Sequence, residues 1–327
     1  MADVTLWDRF GNDDRGQLFL VTALTIAVLL VGLALTLNTA IYTENVATRT
    51  TDTQLDDAVS FQQSLVAGGG ELLDAANRAG GGITTIEPQF QSSLGNWSVE
   101  AASLSAVYDR SVDASYTGTK TNGTRVYQAN STRNYTNETG ASTWSAVSNE
   151  EVRNIRFNVS RTSLAGNSGD AFRLILDDDG VLSDAVEISM HDDGTNIVVT
   201  VEDDTGVIGS CAVEPKGVDE SLVVDVTGGT VGTQRCLPLD TVHEKLGGDV
   251  YVIFENGDDA TGTYEFYMTN KNTALSTLVS GPNYAGAGSG SWPVAQEAIY
   301  DANVTFRFST DETVVEKEVR LAPGEIE

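Results

Sequence analysis

The first 80 residues carry a hydrophobic pattern that differs from the rest of the chain. An uncharged apolar run extends over residues 18–37 and reads LFLVTALTIAVLLVGLALTL. A helix rises 1.5 Å per residue, so a run of this length spans about 30 Å, the thickness of the hydrocarbon core of a bilayer. The pattern predicts one membrane-spanning helix. The alternative, a buried core helix, is usually shorter.

Apolar residues recur at helical spacings beyond this run. Leu55, Leu65 and Val66 belong to this continuation, which ends at a glycine triplet. A second triplet follows after a short helical stretch, and clustered glycines interrupt regular structure. We therefore predict a transmembrane and extended helix over residues 17–67, followed by a glycine-rich hinge over residues 68–82.

After the hinge, the helical period gives way to alternation of apolar and polar residues. Ile155, Phe157 and Val159 alternate with polar neighbours, as in a half-buried strand. Acidic, glycine-containing turns separate further apolar runs, so we predict a mainly β body with an antiparallel, sandwich-like head. The remaining predicted strands are 171–176, 186–190, 197–201, 207–213, 222–226, 250–254, 263–268, 304–308 and 314–321.

The excess of acidic over basic residues limits the classes of molecule that the protein can bind. The chain has 47 acidic and 19 basic residues, a net charge of -28. Phosphate binding needs clustered cations, so we predict no nucleic-acid partner. Dense carboxylates hold water in concentrated salt, which screens their repulsion, so the composition favours a halophilic source. An ordinary acidic soluble protein is the alternative.

The charge is also unevenly distributed within the predicted β body. The β region predicted over residues 83–162 is close to neutral, because residues 80–162 hold 7 acidic and 7 basic residues. The acidic β region predicted over residues 163–327 holds 30 acidic and 8 basic residues. Such asymmetry suggests two modules.

The residues that flank the apolar run predict its orientation. Arg9 and Arg15 precede it, whereas the first cation after it is Arg49. Cytoplasmic flanks of membrane helices carry the excess of Lys and Arg. We therefore predict a single-pass protein of the cell membrane, with the lipid bilayer as a partner, a cytoplasmic N-terminus and an extracellular body.

A short motif stands directly before the apolar run. Arg15, Gly16 and Gln17 place a cation, a glycine and an amide at the predicted membrane boundary. This arrangement resembles the class III signal peptide of archaeal type IV pilins and of pilin-like surface proteins from haloarchaea. The resemblance implies that a prepilin peptidase removes a leader of residues 1–16, and that other pilin-like subunits are partners. Bacterial pilins have Glu at the position of Val21, so the resemblance favours a minor or accessory subunit.

The two cysteines, Cys211 and Cys236, each lie beside a predicted strand. This pair suggests a disulfide in an oxidising compartment, and two buried free thiols are the alternative. The pair does not supply the four ligands of a structural zinc site.

Seven N-x-Ser/Thr triplets are candidate glycosylation sites on the outer side of the membrane. Most lie in the neutral part of the body, where they predict an exposed and glycosylated loop; an unmodified polar loop is the alternative. The seven asparagines are Asn96, Asn122, Asn130, Asn134, Asn137, Asn158 and Asn303.

Catalytic motifs are absent from the sequence, and we predict a non-enzymatic protein without a cofactor. His191 precedes an acidic turn and His243 lies in a polar stretch, which favours exposed positions over ligand roles. The acidic turn 177–180 lacks the register of an EF-hand loop. We interpret it as solvation of a hairpin tip in salt, with Ca²⁺ binding as the alternative, and predict no metal site.

These observations favour a pilin-like structural or interaction protein, displayed on the cell exterior and assembled into or onto a filament. The alternative is a membrane-anchored surface module that binds glycans or envelope partners, and a third hypothesis is an anchored hydrolase. Aromatic residues can stack on sugars, although core packing is their commoner role. The candidates for stacking are Trp144, Tyr284, Trp292 and Tyr300.

Overall fold

The computed structural model describes residues 26, 27, 30, 33, 34, 55–216 and 220–325. The chain divides into two compact units. The first consists of Met1–Ser60 with Thr310–Thr313, and its described residues up to Ser60 are helical. The second consists of Phe61–Ser309 with Val314–Glu327, and it contains both β-sheets.

The prediction of a transmembrane helix requires correction. Apart from five helical positions, residues 18–37 lie outside the described part of the chain, as do Arg15, Gly16 and Gln17. Across the described ranges, no helix has both the length and the apolar composition needed to cross a bilayer.

Helix α1 (61–79) packs against the body. It is the part of the helical stretch 55–79 that belongs to the second unit. Asn77 is fully buried, and its side-chain amide donates to the carbonyl oxygen of Ile299 at 2.9 Å. Its amide oxygen accepts from the Ile299 backbone nitrogen at 2.8 Å. This two-way pairing joins the helix to backbone groups of the neighbouring strand.

The first glycine triplet is not part of a hinge, contrary to the prediction, because it lies inside α1. A Cβ atom on Gly69 would lie 2.8 Å from Leu321, and one on Gly70 would lie 3.1 Å from Pro323. The glycines therefore allow close approach of the helix to the C-terminal segment. Only the second triplet, Gly80–Gly82, ends the helix, with backbone φ angles of 73°, 97° and 80°.

Helix α2 (Ile83–Ala106) replaces the beginning of the predicted neutral β region. Its buried residues are Ile86, Phe90, Leu94 and Ser98, which recur every four residues and form one face. The Ser98 hydroxyl accepts from the Ala114 backbone nitrogen at 2.8 Å. The many serines of this segment, together with its glutamines, obscure the helical pattern.

Two β-sheets form most of the second unit, which confirms a mainly β fold. The nine-stranded sheet contains β1 (Ser111–Gln128), β3 (Val152–Ser160), β8 (Ser221–Asp225), β9 (Thr230–Val231), β10 (Gln234–Arg235), β12 (Gly262–Thr269), β13 (Ala285–Gly286), β14 (Val294–Ser309) and β15 (Val314–Leu321). The six-stranded sheet contains β2 (Trp144–Glu150), β4 (Phe172–Asp177), β5 (Val186–Asp192), β6 (Ile197–Asp203), β7 (Gly206–Val213) and β11 (Val250–Glu255).

The larger sheet has the order β10-β9-β8-β3-β12-β1-β14-β13, and β15 pairs with β14. The smaller has the order β2-β11-β4-β5-β6-β7. Neighbours are antiparallel except β13 and β14, which are parallel. Short helices α3 (Val242–Leu246) and α4 (Leu275–Ser280) and three 3-10 turns occupy connections.

One hydrophobic cluster contains residues from both sheets. Phe157 and Tyr264 come from the larger sheet, and Phe172 and Phe254 from the smaller. The ring centroids of Phe157 and Phe254 are 5.7 Å apart. Each sheet also combines strands from the neutral and the acidic parts of the sequence, so the difference in charge does not separate two structural modules.

Candidate functional site

A polar groove lies on the surface of the larger sheet. Val126 is fully buried in the core, and side chains alternate along a strand, so Arg125 and Tyr127 project from the opposite face. They border a groove of about 420 Å³. Its lining consists of Arg125, Tyr127, Gln128, Ala129, Arg156, Asn158, Val223, Thr263, Tyr264 and Glu265.

Tyr127, which lines this groove, contacts a second aromatic residue that is not part of the lining. The ring of Trp292 meets the ring of Tyr127 edge-on, with centroids 5.6 Å apart and an interplanar angle of 73°. The Arg125 guanidinium lies 4.0 Å from the centroid of the Tyr127 ring, a cation–π contact. Both aromatic side chains are half-buried. They present apolar surface and hydrogen-bonding groups side by side.

The groove contains two guanidinium groups, and each has an acidic partner. Arg125 Nε donates to Glu265 at 2.7 Å, and Arg156 Nε donates to Asp225 at 2.7 Å. Arg78, at the end of α1, binds the other oxygen of Glu265 at 2.8 Å. The groove is thus close to electrical neutrality in a strongly acidic protein.

The carboxylate of Glu265 has a perturbed pKa. Burial opposes its ionisation, but hydrogen bonds and charge interactions with Arg78 and Arg125 outweigh burial and lower the pKa below its usual range. Ionised Glu265 consequently stabilises the folded state at pH values above the unfolded pKa of about 4.3. This contribution is lost as the pH falls through the lower pKa of the folded state.

Glu265→Gln is therefore expected to lower the free energy of unfolding by about 2 kcal/mol at neutral pH, since two guanidinium groups lose their counter-charge. The difference from the wild type should shrink as the pH falls below about 4. Denaturant unfolding across a pH series measures it. The exposed Glu316→Gln variant serves as the control and should show little change. A Glu265→Gln effect that does not depend on pH would contradict the assignment.

Of the aromatic residues that the sequence suggested for stacking, only Trp292 has a described ring contact with a residue of the groove lining, Tyr127. Trp144, Tyr284 and Tyr300 are buried, with exposed fractions of 5%, 1% and 1%. The Trp144 indole donates to the carbonyl oxygen of Tyr135 at 3.0 Å. These three rings pack the core, which is the role that the sequence favoured for them over stacking on sugars. Tyr127 was not among the predicted residues, and its signal in the sequence is the alternation in Arg-Val-Tyr-Gln within an otherwise polar strand.

The candidate glycosylation sites differ in exposure. Asn96 on α2, Asn122 on β1 and Asn130 in the following loop are exposed. Asn158 is half-buried and lines the groove. Only part of the predicted loop is therefore accessible as a glycosylation surface.

The amide nitrogens of the other three candidates are already hydrogen-bonded. Asn137 is only 4% exposed, and its nitrogen donates to Asn283 at 3.1 Å. Asn134 donates to the carbonyl oxygen of Asp258 at 2.9 Å, and Asn303 to Glu318 at 2.6 Å. Glycosylation replaces one of the two hydrogens on this nitrogen. Burial makes Asn137 the least accessible of these three candidates, and all three stay predictions.

The predicted disulfide is confirmed. Cys211 and Cys236 are bonded, with their Cα atoms 5.9 Å apart. Cys211 belongs to β7, the last strand of the smaller sheet, and Cys236 directly follows β10, the last strand of the larger sheet. The bond therefore links the edges of the two sheets.

The two histidines lie apart from the groove lining. His191 belongs to β5 and is half-buried, so its predicted position in an exposed turn is wrong. Its Nδ1 atom is buried without a hydrogen-bond partner among the described residues. His243 belongs to α3, and its Nε2 atom lies 3.2 Å from the carbonyl oxygen of Thr227.

Fold and site together define a mainly β protein with two sheets, two helices against the larger sheet and a near-neutral surface groove. Comparison with known proteins adds one match. Residues 12–163 match a family of unknown function, DUF7261. This segment runs from the predicted leader through both helices to the end of β3. No curated protein and no solved structure matches the chain.

Proposed function

We propose that this protein is a non-enzymatic interaction module displayed outside the cell, and that it binds a glycan or another polar envelope component in the groove. Its body is a sandwich-like pair of sheets, supported by the hydrophobic cluster that they share. The observation that carries the proposal is the contact between Trp292 and Tyr127, an aromatic residue in an otherwise mainly polar groove lining.

The chemistry of the groove fits a carbohydrate. A sugar ring has apolar C–H faces and a rim of hydroxyl groups. The rings of Tyr127 and Trp292 can pack on such a face, while Arg125, Asn158 and Thr263 supply donors and acceptors for the rim. Ligand sites generally combine apolar surface with a few placed polar groups.

Two features support an extracellular location. Disulfides persist in oxidising compartments, and this one joins two sheets rather than a flexible terminus. Asn96, Asn122 and Asn130 are exposed triplets where a glycan can be attached. The pilin-like role that Arg15, Gly16 and Gln17 imply stays a prediction, because these residues lie outside the described part of the chain.

A glycan array probed with the labelled full-length chain tests the proposal. Tyr127→Ala and Trp292→Ala are each expected to weaken binding of the recognised glycan at least about tenfold. The guide is the stacking of nucleic-acid bases on aromatic side chains, where loss of the side chain costs about 1–3 kcal/mol. Tyr108→Ala is the matched control, because Tyr108 is 70% exposed and does not line the groove. Binding that all three variants retain, or no bound glycan, would overturn the proposal.

A further inference from the structure

Four aspartates converge at the connection between β4 and β5. They are Asp177, the last residue of β4, and Asp178, Asp179 and Asp184 in the loop that follows. One carboxylate oxygen from each lies within 4.8 Å of the corresponding oxygens of the other three. Carboxylates repel one another at such distances, so positive charge close to the cluster would stabilise it.

Asp177 distinguishes this cluster from the other acidic turns. Its exposed fraction is 0%, and its Oδ1 atom has no hydrogen-bond partner within the described ranges. Its Oδ2 atom accepts from the Leu182 backbone nitrogen at 3.2 Å. A buried carboxylate oxygen without a partner costs free energy unless a cation or water satisfies it. Oδ1 therefore has its full capacity available for a ligand.

The fold holds this carboxylate in place. Asp177 pairs with Tyr251 in the register between β4 and β11, so its backbone belongs to the sheet. The loop then folds over the same tyrosine at Gly180, where an added Cβ would lie 3.1 Å from the ring. The backbone φ of Gly180 is 78°, a conformation that favours glycine. One member of the cluster is consequently fixed at a strand end, and the other three lie in the loop that follows.

One cation already contacts two members of the cluster. Lys245 Nζ lies 3.0 Å from Asp178 Oδ1 and 2.8 Å from Asp184 Oδ2, and this contact lowers the pKa of Asp178. No described ion pair joins Lys245 to Asp177 or Asp179. A single ammonium group leaves the four carboxylates with a large excess of negative charge.

We propose that Asp177, Asp178, Asp179 and Asp184 form a Ca²⁺ site, in which the metal competes with Lys245 for two of the four carboxylates. Ca²⁺ accepts several carboxylate and carbonyl oxygens in a flexible geometry, whereas Mg²⁺ requires a near-ideal octahedron and retains its waters. The donor set contains only oxygen, which disfavours the softer transition metals. This site replaces the interpretation of the turn as a merely solvated hairpin tip.

Calorimetric titration of the full-length chain with CaCl₂ at constant high ionic strength tests the site. Asp179→Asn and Asp177→Asn should each weaken Ca²⁺ binding at least about tenfold. Even the loss of a residue that only hydrogen-bonds to a metal ligand typically lowers metal affinity by this factor. Asp203→Asn, at the last residue of β6 and beside another acidic turn, is the matched control and should bind as the wild type does. MgCl₂ at the same concentrations should give much weaker binding.

The Lys245→Gln variant distinguishes a Ca²⁺ site from an acidic turn that is only solvated by water. Removing the competing ammonium should strengthen Ca²⁺ binding several-fold, even though it removes two ion pairs from the native structure. Its folding can be checked by thermal unfolding without metal. Absence of Ca²⁺ binding in both the wild type and Lys245→Gln would overturn the proposal. Equal binding of Mg²⁺, or equal loss of affinity in Asp203→Asn, would do so as well.

Discussion

Arg153→Ala is expected to lower the free energy of unfolding by about 3–5 kcal/mol, the loss typical of breaking a buried ion pair from one side. Arg153 lies on β3, its exposed fraction is 0%, and it is the largest fully buried side chain among the described residues. Its removal would leave both a cavity and an uncompensated carboxylate in the interior.

The contacts of the guanidinium explain the size of this effect. Nε donates to the carbonyl oxygen of Tyr300 at 2.7 Å, and Nη1 donates to that of Pro323 at 2.7 Å. Nη1 also binds Asp74 on α1 at 3.1 Å. The guanidinium lies 4.2 Å from the centroid of the Tyr267 ring. One side chain thus joins a helix, the larger sheet and the C-terminal segment.

Asp74 depends on this arginine. Burial raises the pKa of Asp74 above its usual range, and Arg153 opposes the shift by charge interaction and hydrogen bonding. Without Arg153, the carboxylate must either stay charged in a buried position or take up a proton. Both outcomes cost free energy at neutral pH.

Arg156→Ala is the matched control on the same strand. Arg156 also binds an acidic partner, Asp225, but its side chain is 48% exposed. Exposed pairs contribute up to about 1 kcal/mol, so this variant should unfold close to the wild type. Guanidinium chloride titration followed by fluorescence compares the three proteins. If Arg153→Ala and Arg156→Ala lowered the free energy of unfolding equally, burial would not determine the contribution of Arg153.

Replacing both cysteines by serine is expected to lower the free energy of unfolding by about 3–4 kcal/mol. The bond closes a loop with a sequence separation of 25 residues, and the chain-entropy model gives about this value for such a loop. Because the disulfide links the edges of the two sheets, we also expect the strands around Cys211 and Cys236 to lose protection first.

Denaturant unfolding and hydrogen exchange measure this effect. The wild type in the presence of a reductant should unfold like the double serine variant, which separates loss of the bond from the substitution itself. Ser210→Ala, on the same strand with the disulfide intact, should remain close to the oxidised wild type. A double variant as stable as the oxidised wild type would refute the contribution assigned to the bond.

Local patterns predicted much of the sheet structure. Runs such as 186–190 and 314–321 alternate apolar and polar residues, and the strands β5 and β15 contain them. The cysteine pair was also predictable, because each residue stood beside such a run. These features depend on a few neighbouring residues, whose periodicity directly reflects which side of a strand is buried.

Segments with weak periodicity were not predictable in the same way. β1 contains Thr, Gly and Asn in place of a clear apolar alternation, and α2 hides a narrow buried face among polar residues. Gly69 resembled a hinge residue, although its role is to let α1 approach Leu321. In each case packing against a distant segment overrides local propensity.

The amino-acid sequence by itself determined the mainly β character, most strand positions, the disulfide and the acidic surface. Only the tertiary structure decided which polar residues are buried, which aromatic residues remain accessible and which aspartates converge. Arg153 and Asp74 are 79 positions apart, and Tyr127 and Trp292 come from separate segments of the chain. Charge pairing and stacking depend on distance in space, and chain folding sets that distance independently of local pattern.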